Sequence, residues 1–311
     1  MHHILSSDQF STKEIEKIFA LSDEFKKQLA DPGSRKKLTQ LYQGRQMATL
    51  FYQPSTRTRL SFETAALKLG MGVVSTEDAL SFSSAAKGES LEDTIKVING
   101  YYPDIIILRH HETGGAKRAA AVSNVPIINA GDGRSGEHPT QSLLDAYTIK
   151  TNYGRLDNLK VVMGGDLLQS RCVRSLVYIL SKYKNNHITF VSIPEFQIGN
   201  DVKTTLRRTK TSFDQTDNMR KAFAGANVIY WTRLQAEYLK GKKAAVAGGF
   251  TIDKSSLKLL QKRAIIMHPL PRVGEISPEI DNDPRAKYFE QAGNGLYIRM
   301  ALIDQILKNR K

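Results

Sequence analysis

Short apolar runs recur along the whole chain, and most are followed by a stretch with helical spacing. Met47-Ala48-Thr49-Leu50-Phe51-Tyr52, Met71-Gly72-Val73-Val74, Asp104-Ile105-Ile106-Ile107-Leu108 and Val125-Pro126-Ile127-Ile128-Asn129 form a first set. A second set is Leu159-Lys160-Val161-Val162-Met163, His187-Ile188-Thr189-Phe190-Val191, Asn227-Val228-Ile229-Tyr230-Trp231 and Ala264-Ile265-Ile266-Met267. Runs this short read as buried strands, and strands separated by helices imply parallel βαβ units. The expected fold class is therefore α/β, with two doubly wound parallel sheets. Ligands in such sheets sit at the carboxyl ends of the strands, so the residues just after each run carry the functional information.

The first run leads into Pro54-Ser55-Thr56-Arg57-Thr58-Arg59, and a helix is expected over Leu60 to Leu69 with Gly70 ending it. The first N–H groups of a helix lack partners inside it, and the helix dipole makes that end positive. Three hydroxyls and two guanidiniums at such a turn make an anion site, phosphate above all. Other strand ends supply Arg109, Arg171 and Arg233, with His138 and His268 nearby in the pattern. Two cationic clusters on two α/β domains imply the joining of a phosphate-bearing molecule to a carboxylate-bearing one. Each charge-assisted arginine contact contributes about 1.5–3 kcal/mol. Neither a catalytic triad nor a carboxylate pair is evident, so catalysis would rest on orientation and electrostatic stabilisation.

Further landmarks complete the reading. Ser11-Thr12-Lys13-Glu14 fits a capping box that opens the first helix, and Asp31-Pro32-Gly33 breaks it. Ser81 to Ser90 is small, polar and without periodicity, which predicts a mobile loop. His138-Pro139-Thr140-Gln141 starts a helix over Ser142 to Ile149 that bridges the domains, and a last helix is expected from about Leu296 to Leu307. Gly164-Gly165-Asp166 follows a strand, but Leu167, Leu168 and Gln169 replace the remaining glycines of a dinucleotide fingerprint, which excludes that reading. No metal site is expected: His110 and His111 are adjacent, should face apart on a strand, and lack partners at ligand spacing.

At 311 residues, two domains are the natural expectation. We place them at 1–137 plus 293–311 and at 138–292. The single cysteine, Cys172, leaves no disulfide framework. No apolar run approaches the roughly 20 residues of a membrane span, and the N-terminus lacks a signal-peptide pattern. These features place the chain in the cytoplasm, away from membranes. A formal charge of +14 points first to nucleic acid, but the excess is scattered and no aromatic residues interleave with it. Solvated basic faces, or a field that attracts anionic substrates, explain it without nucleic acid.

Ser55-Thr56-Arg57-Thr58, His138-Pro139-Thr140-Gln141 and His268-Pro269-Leu270-Pro271-Arg272 resemble, in order and spacing, the signatures of aspartate carbamoyltransferase catalytic chains. The stretch from Asp283-Pro284-Arg285-Ala286 to Arg299-Met300-Ala301-Leu302 matches as well, so the resemblance spans nearly the whole chain. It implies a first domain that binds carbamoyl phosphate and a second that binds aspartate. By resemblance, Ser55, Thr56, Arg57, Thr58 and Arg109 hold the phosphate, and Thr58, Arg109 and His138 stabilise the carbonyl oxygen. Gln141 and the backbone carbonyls of Pro269 and Leu270 would fix the carbamoyl amino group. Arg171, Arg233 and Gln235, with Leu270 and Pro271, would read the carboxylates of L-aspartate.

Ser83 and Lys87 match a family loop that reaches into a neighbouring subunit's site. The implied assembly is thus a homotrimer with shared active sites, in which Lys87 joins Thr58, Arg109 and His138 as a catalytic group. The resemblance also implies a cis peptide before Pro271 and requires no cofactor and no metal. It leaves the presence of regulatory chains undecided. The rival readings are a transcarbamylase for another amine, such as ornithine, and a non-catalytic anion-binding relative. Arg233, Gln235 and Lys87 favour an anionic second substrate, and intact Arg57, Arg109 and His138 favour catalysis. The sequence departs from the family pattern at Cys172, at Ala236 and over Lys240 to Phe250.

Overall fold

The computed structural model describes residues 3–82, 84–233 and 250–308. The chain divides into two compact units, one of Met1–Leu143 with Gly293–Lys311 and one of Leu144–Ala292. The helices Pro139–Tyr153 and Tyr288–Lys308 each run through a boundary between them.

The first unit is built on a parallel sheet of β1 (Gln46–Phe51), β2 (Gly72–Thr76), β3 (Ile105–His110) and β4 (Ile127–Asp132), in the order β2-β1-β3-β4. Ala48, Leu50, Ile106, Leu108 and Ile127 pack with Ile95 and Ala119 of two covering helices. The chain leaves β1 towards β2 on one side, whereas β3 lies on the other. The topological switch therefore falls between β1 and β3, whose pairing runs from Met47 opposite Ile105 to Phe51 opposite Arg109. Ile4 bridges to Ile128, which adds the N-terminal segment to the β4 edge.

The second unit holds β5 (Lys160–Gly164), β6 (His187–Val191), β7 (Ser212–Thr216), β8 (Val228–Trp231) and β9 (Ile265–Met267). All pair in parallel, in the order β7-β6-β5-β8-β9, so this switch falls between β5 and β8. Its core gathers Val162, Ile229, Trp231, Phe250, Ile252 and Ile266. The indole N–H of Trp231 is satisfied by the Phe250 carbonyl at 2.8 Å.

The architecture agrees with two parallel-sheet α/β units, and four local expectations are corrected. Asp31 does not simply end a helix: it caps a second one, Pro32–Leu38, by accepting the Ser34 amide at 2.6 Å. The anion turn lies inside the helix, because helical structure begins at Thr56 and runs to Lys68. The stretch predicted as a loop carries a short helix, Ala79–Phe82, and a 3-10 turn, Ser84–Lys87. His110 ends β3, so His111 escapes strand alternation and the two rings lie side by side with centroids 4.3 Å apart. The Ser11–Glu14 capping box forms as expected.

Candidate active site

In the first unit, the strands flanking the switch point deliver their following residues to one edge of the sheet. After β1, Ser55 takes the position before the helix with an extended backbone, and its side chain does not cap it. The first-turn amides thus keep their capacity for an anion. Thr56 and Arg57 are exposed on that turn, and Thr58 is buried. Arg59, which the sequence groups with them, is turned to other work. It pairs with Glu77 at 2.7 Å and Glu63 at 3.3 Å, tying the helix to the end of β2.

Arg109 is the second-to-last residue of β3 and is half-buried, donating to the Ala130 carbonyl at 3.2 Å. Beyond β4, a loop returns the chain to His138, which is buried, as are Thr140 and Gln141. The His138 carbonyl accepts the amides of Gln141 at 2.9 Å and Ser142 at 3.1 Å, which starts the Pro139–Tyr153 helix. Proline at the first helical position fits, since its missing N–H would have had no partner.

That loop is held by carboxylates. Asp132 accepts from the amides of Gly114 and Glu137 and from the Asn129 side chain, at 2.9, 3.1 and 3.2 Å. Glu137, next to His138, accepts from the Ser6 hydroxyl and the Ser7 amide, both at 2.7 Å. Burial pushes the Glu137 carboxyl above its ordinary range, with the serine hydrogen bonds pulling against it. Lys87 ends its 3-10 turn exposed. Ser83 and Gln235 lie outside the described residues.

In the second unit, β5 opens onto Gly164-Gly165-Asp166. A Cβ on Gly164 would fall 2.1 Å from the Trp231 ring. Gly165 has φ +104, and a Cβ there would fall 2.1 Å from the Thr232 carbonyl oxygen. The glycines therefore serve close approach of β8 to the end of β5, not a nucleotide. Thr232 donates its amide to the Gly164 carbonyl at 2.8 Å, and the Asp166 amide donates to the Arg233 carbonyl at 3.4 Å. This stitching fixes the backbone of exposed Arg233 beside the turn that leads to Arg171. Ser170 caps that next helix, and half-buried Arg171 opens it.

The third contribution is the segment after β9. Leu270 adopts a positive φ of 53°, and the Leu270–Pro271 peptide is cis. Pro269 and Leu270 are half-buried. Arg272 is bound into the fold by Asp281 at 2.6 Å, and His268 is buried. Neither is therefore a surface ligand group. Among the described residues no three His, Cys, Asp or Glu side chains cluster as metal ligands, and no helix is long and apolar enough to cross a membrane.

Each unit thus carries arginines in or just after its two switch-point strands, Arg57 and Arg109 in one and Arg171 and Arg233 in the other. Two family models match the chain across this same arrangement. The aspartate/ornithine carbamoyltransferase carbamoyl-P binding domain covers residues 2–151, and the Asp/Orn binding domain of the same family covers residues 157–306. The chain belongs to the aspartate/ornithine carbamoyltransferase family.

Relatives agree with that membership. A chloroplastic aspartate carbamoyltransferase of Arabidopsis thaliana is 46% identical over 98% of this chain and 77% of its own length. The catalytic subunit of M. jannaschii aspartate transcarbamoylase superposes with a TM-score of 0.90 at 42% identity, covering 99% of each chain. Aspartate transcarbamoylase from Trypanosoma cruzi, in complex with carbamoyl phosphate and aspartate, matches with a TM-score of 0.89 at 34% identity. That match covers 97% of this chain and 94% of the other.

Several supporting residues escaped the sequence reading. Asp132 stands in a Gly-Asp-Gly stretch that reads only as a strand end, Glu137 follows it by five positions, and Glu275 lies seven positions beyond its partner His268. The one available signal was composition: an acidic residue in a chain this basic, next to a candidate histidine, has a specific partner to find.

Proposed function

We propose that the chain transfers the carbamoyl group of carbamoyl phosphate to the α-amine of L-aspartate, giving N-carbamoyl-L-aspartate and phosphate, an early step of pyrimidine biosynthesis. The observation that carries this reading is the paired placement of arginines at the two switch points. In the first unit the uncapped Thr56–Lys68 helix start, Arg57 and Arg109 provide a site for the phosphate dianion. In the second, Arg171 and Arg233 provide for two carboxylates, with Gln235 as a further contact. A cationic second site selects against ornithine, whose side chain would meet like charge.

The chemistry follows from those roles. The neutral amine nitrogen attacks the carbamoyl carbon, and the carbonyl oxygen becomes an oxyanion. Thr58, Arg109 and His138 donate to that oxygen, whose charge develops only as the bond forms. Gln141 and the carbonyls of Pro269 and Leu270 accept from the carbamoyl NH2 and orient its plane. The carbon–oxygen bond to phosphate then breaks, and the departing phosphate takes the amine proton. No separate general base is required.

The same reading makes the active unit a homotrimer in which Ser83 and Lys87 serve a neighbour's site. Its support is apolar surface on the first unit: Leu60, Leu67, Val74 and Val97 are each about half exposed, at 49, 59, 51 and 50%. A trimer would run in solution at three times 34.8 kDa. With one cysteine, we assign the enzyme to the cytoplasm. Purified protein given carbamoyl phosphate and aspartate should release carbamoyl-aspartate and phosphate in equal amounts. Phosphate release without that product would overturn the assignment.

A further inference from the structure

The segment from His268 to Glu275 is closed on itself by two buried side chains. His268 and Glu275 are 2 and 8% exposed. Nδ1 of His268 accepts the Leu270 amide at 2.8 Å, so the ring proton belongs on Nε2, which donates to Glu275 at 2.8 Å. The other Glu275 oxygen accepts the Val273 amide at 2.8 Å, and the His268 amide is taken by Gln291 at 2.8 Å. Pro269 and Pro271 have no amide to place. Every other amide donor named here is thus turned inward, while among the described residues no hydrogen bond reaches the carbonyls of Pro269 or Leu270. Leu270 holds a left-handed backbone that a leucine adopts only under constraint.

We propose that the His268–Glu275 pair is a positioning device that sets the Leu270 backbone so that the Pro269 and Leu270 carbonyls receive a planar NH2 group. It rests on the assignment of carbamoyl phosphate as substrate. The pair touches no substrate itself. Its work is to supply a fixed acceptor at Nδ1, and Glu275 keeps that acceptor by holding the proton on the far nitrogen. Burial raises the Glu275 carboxyl, but the hydrogen bonds from His268 and Val273 outweigh it and leave it below the ordinary range, ready to accept.

The test contrasts carbamoyl phosphate with inorganic phosphate, which shares the phosphate contacts but has no NH2 group. In His268→Leu, the dissociation constant for carbamoyl phosphate should rise about tenfold or more, with that for phosphate unchanged. In His268→Asn, whose Oδ1 can still accept the Leu270 amide, most of the affinity should return. Glu275→Gln, which keeps an acceptor but loosens the tautomer, should give a smaller loss of the same selective kind and serves if His268→Leu does not fold. Equal weakening of both ligands, or a folded His268→Leu or Glu275→Gln that binds carbamoyl phosphate like the parent, overturns the proposal. Parent protein that binds phosphate but not carbamoyl phosphate would instead overturn the substrate assignment.

Discussion

Phe51 and Arg109 stand opposite each other in the parallel pairing of β1 with β3, one residue closing a buried strand and the other carrying a guanidinium. The register places Arg109 at the strand end beside the Ser55–Thr58 turn that follows Phe51 by a few residues. Sheet topology thus decides which arginine stands beside that turn, and β-pairing rather than loop conformation sets its height.

Arg109→Ala tests that placement. In the proposed mechanism this removes one oxyanion donor and one phosphate contact together, so kcat/KM for carbamoyl phosphate should fall by about 10²–10³. Among its contacts the hydrogen bond to Ala130 is worth about 1 kcal/mol, so the loss of stability should be small beside the loss of activity. A large shift in the urea midpoint with proportionate loss of activity would make Arg109 a structural residue.

Arg233→Ala addresses the other unit. The KM for aspartate should rise steeply while carbamoyl phosphate binds nearly as before, because Arg233 is exposed and its carbonyl stays tied to the Asp166 amide whatever its side chain. Calorimetric titration of each substrate separates the two effects. Equal loss of both affinities would mean that the arginine supports the fold.

Much of this organisation was legible before the structure. The sequence places β6 at its observed bounds, and β1, β3 and β5 within two residues at either end; β1, β3 and β5 carry nearly continuous buried apolar runs, and β6 keeps Ile188, Phe190 and Val191 buried. β7, Ser212–Thr216, was missed because it is an edge strand whose alternate residues are polar and exposed. The helix Asn200–Arg208 was missed for a related reason: few of its residues are apolar, and only Val202, Thr205 and Leu206 are buried. At the site, the phosphate turn and the arginines stand out by residue type, and the resemblance supplies their roles. Arg59 could not be told from Arg57, since its partner Glu77 comes from beyond the next strand. Glu137 and Glu275 were invisible for the same cause, as both act through tertiary partners.

Glu137 should couple stability to pH. Burial raises its folded pKa above the unfolded value near 4.5, so its contribution is complete below that value and is lost as pH rises through the folded pKa. Glu137→Gln removes the titration and keeps an acceptor for Ser6 or Ser7. The variant should therefore gain on the parent as pH climbs from the ordinary glutamate range to neutrality, read from urea unfolding at each pH. A difference that shrinks with rising pH would contradict the burial effect.

Lys87 tests the proposal that subunits share their sites. Lys87→Ala and Arg57→Ala proteins should each be nearly inactive, and dissociating and reassembling them together should restore activity, since some sites then draw both intact residues from different chains. Mixtures as inactive as their components would place Lys87 in its own chain's site or outside catalysis.

The central claim is that this chain carbamoylates aspartate. The most direct measurement is a competition: carbamoyl phosphate with equimolar L-aspartate and L-ornithine, products resolved by mass. N-carbamoyl-L-aspartate should dominate, with phosphate released in equal amount. Citrulline as the main product, or no carbamoylated amine at all, would contradict it.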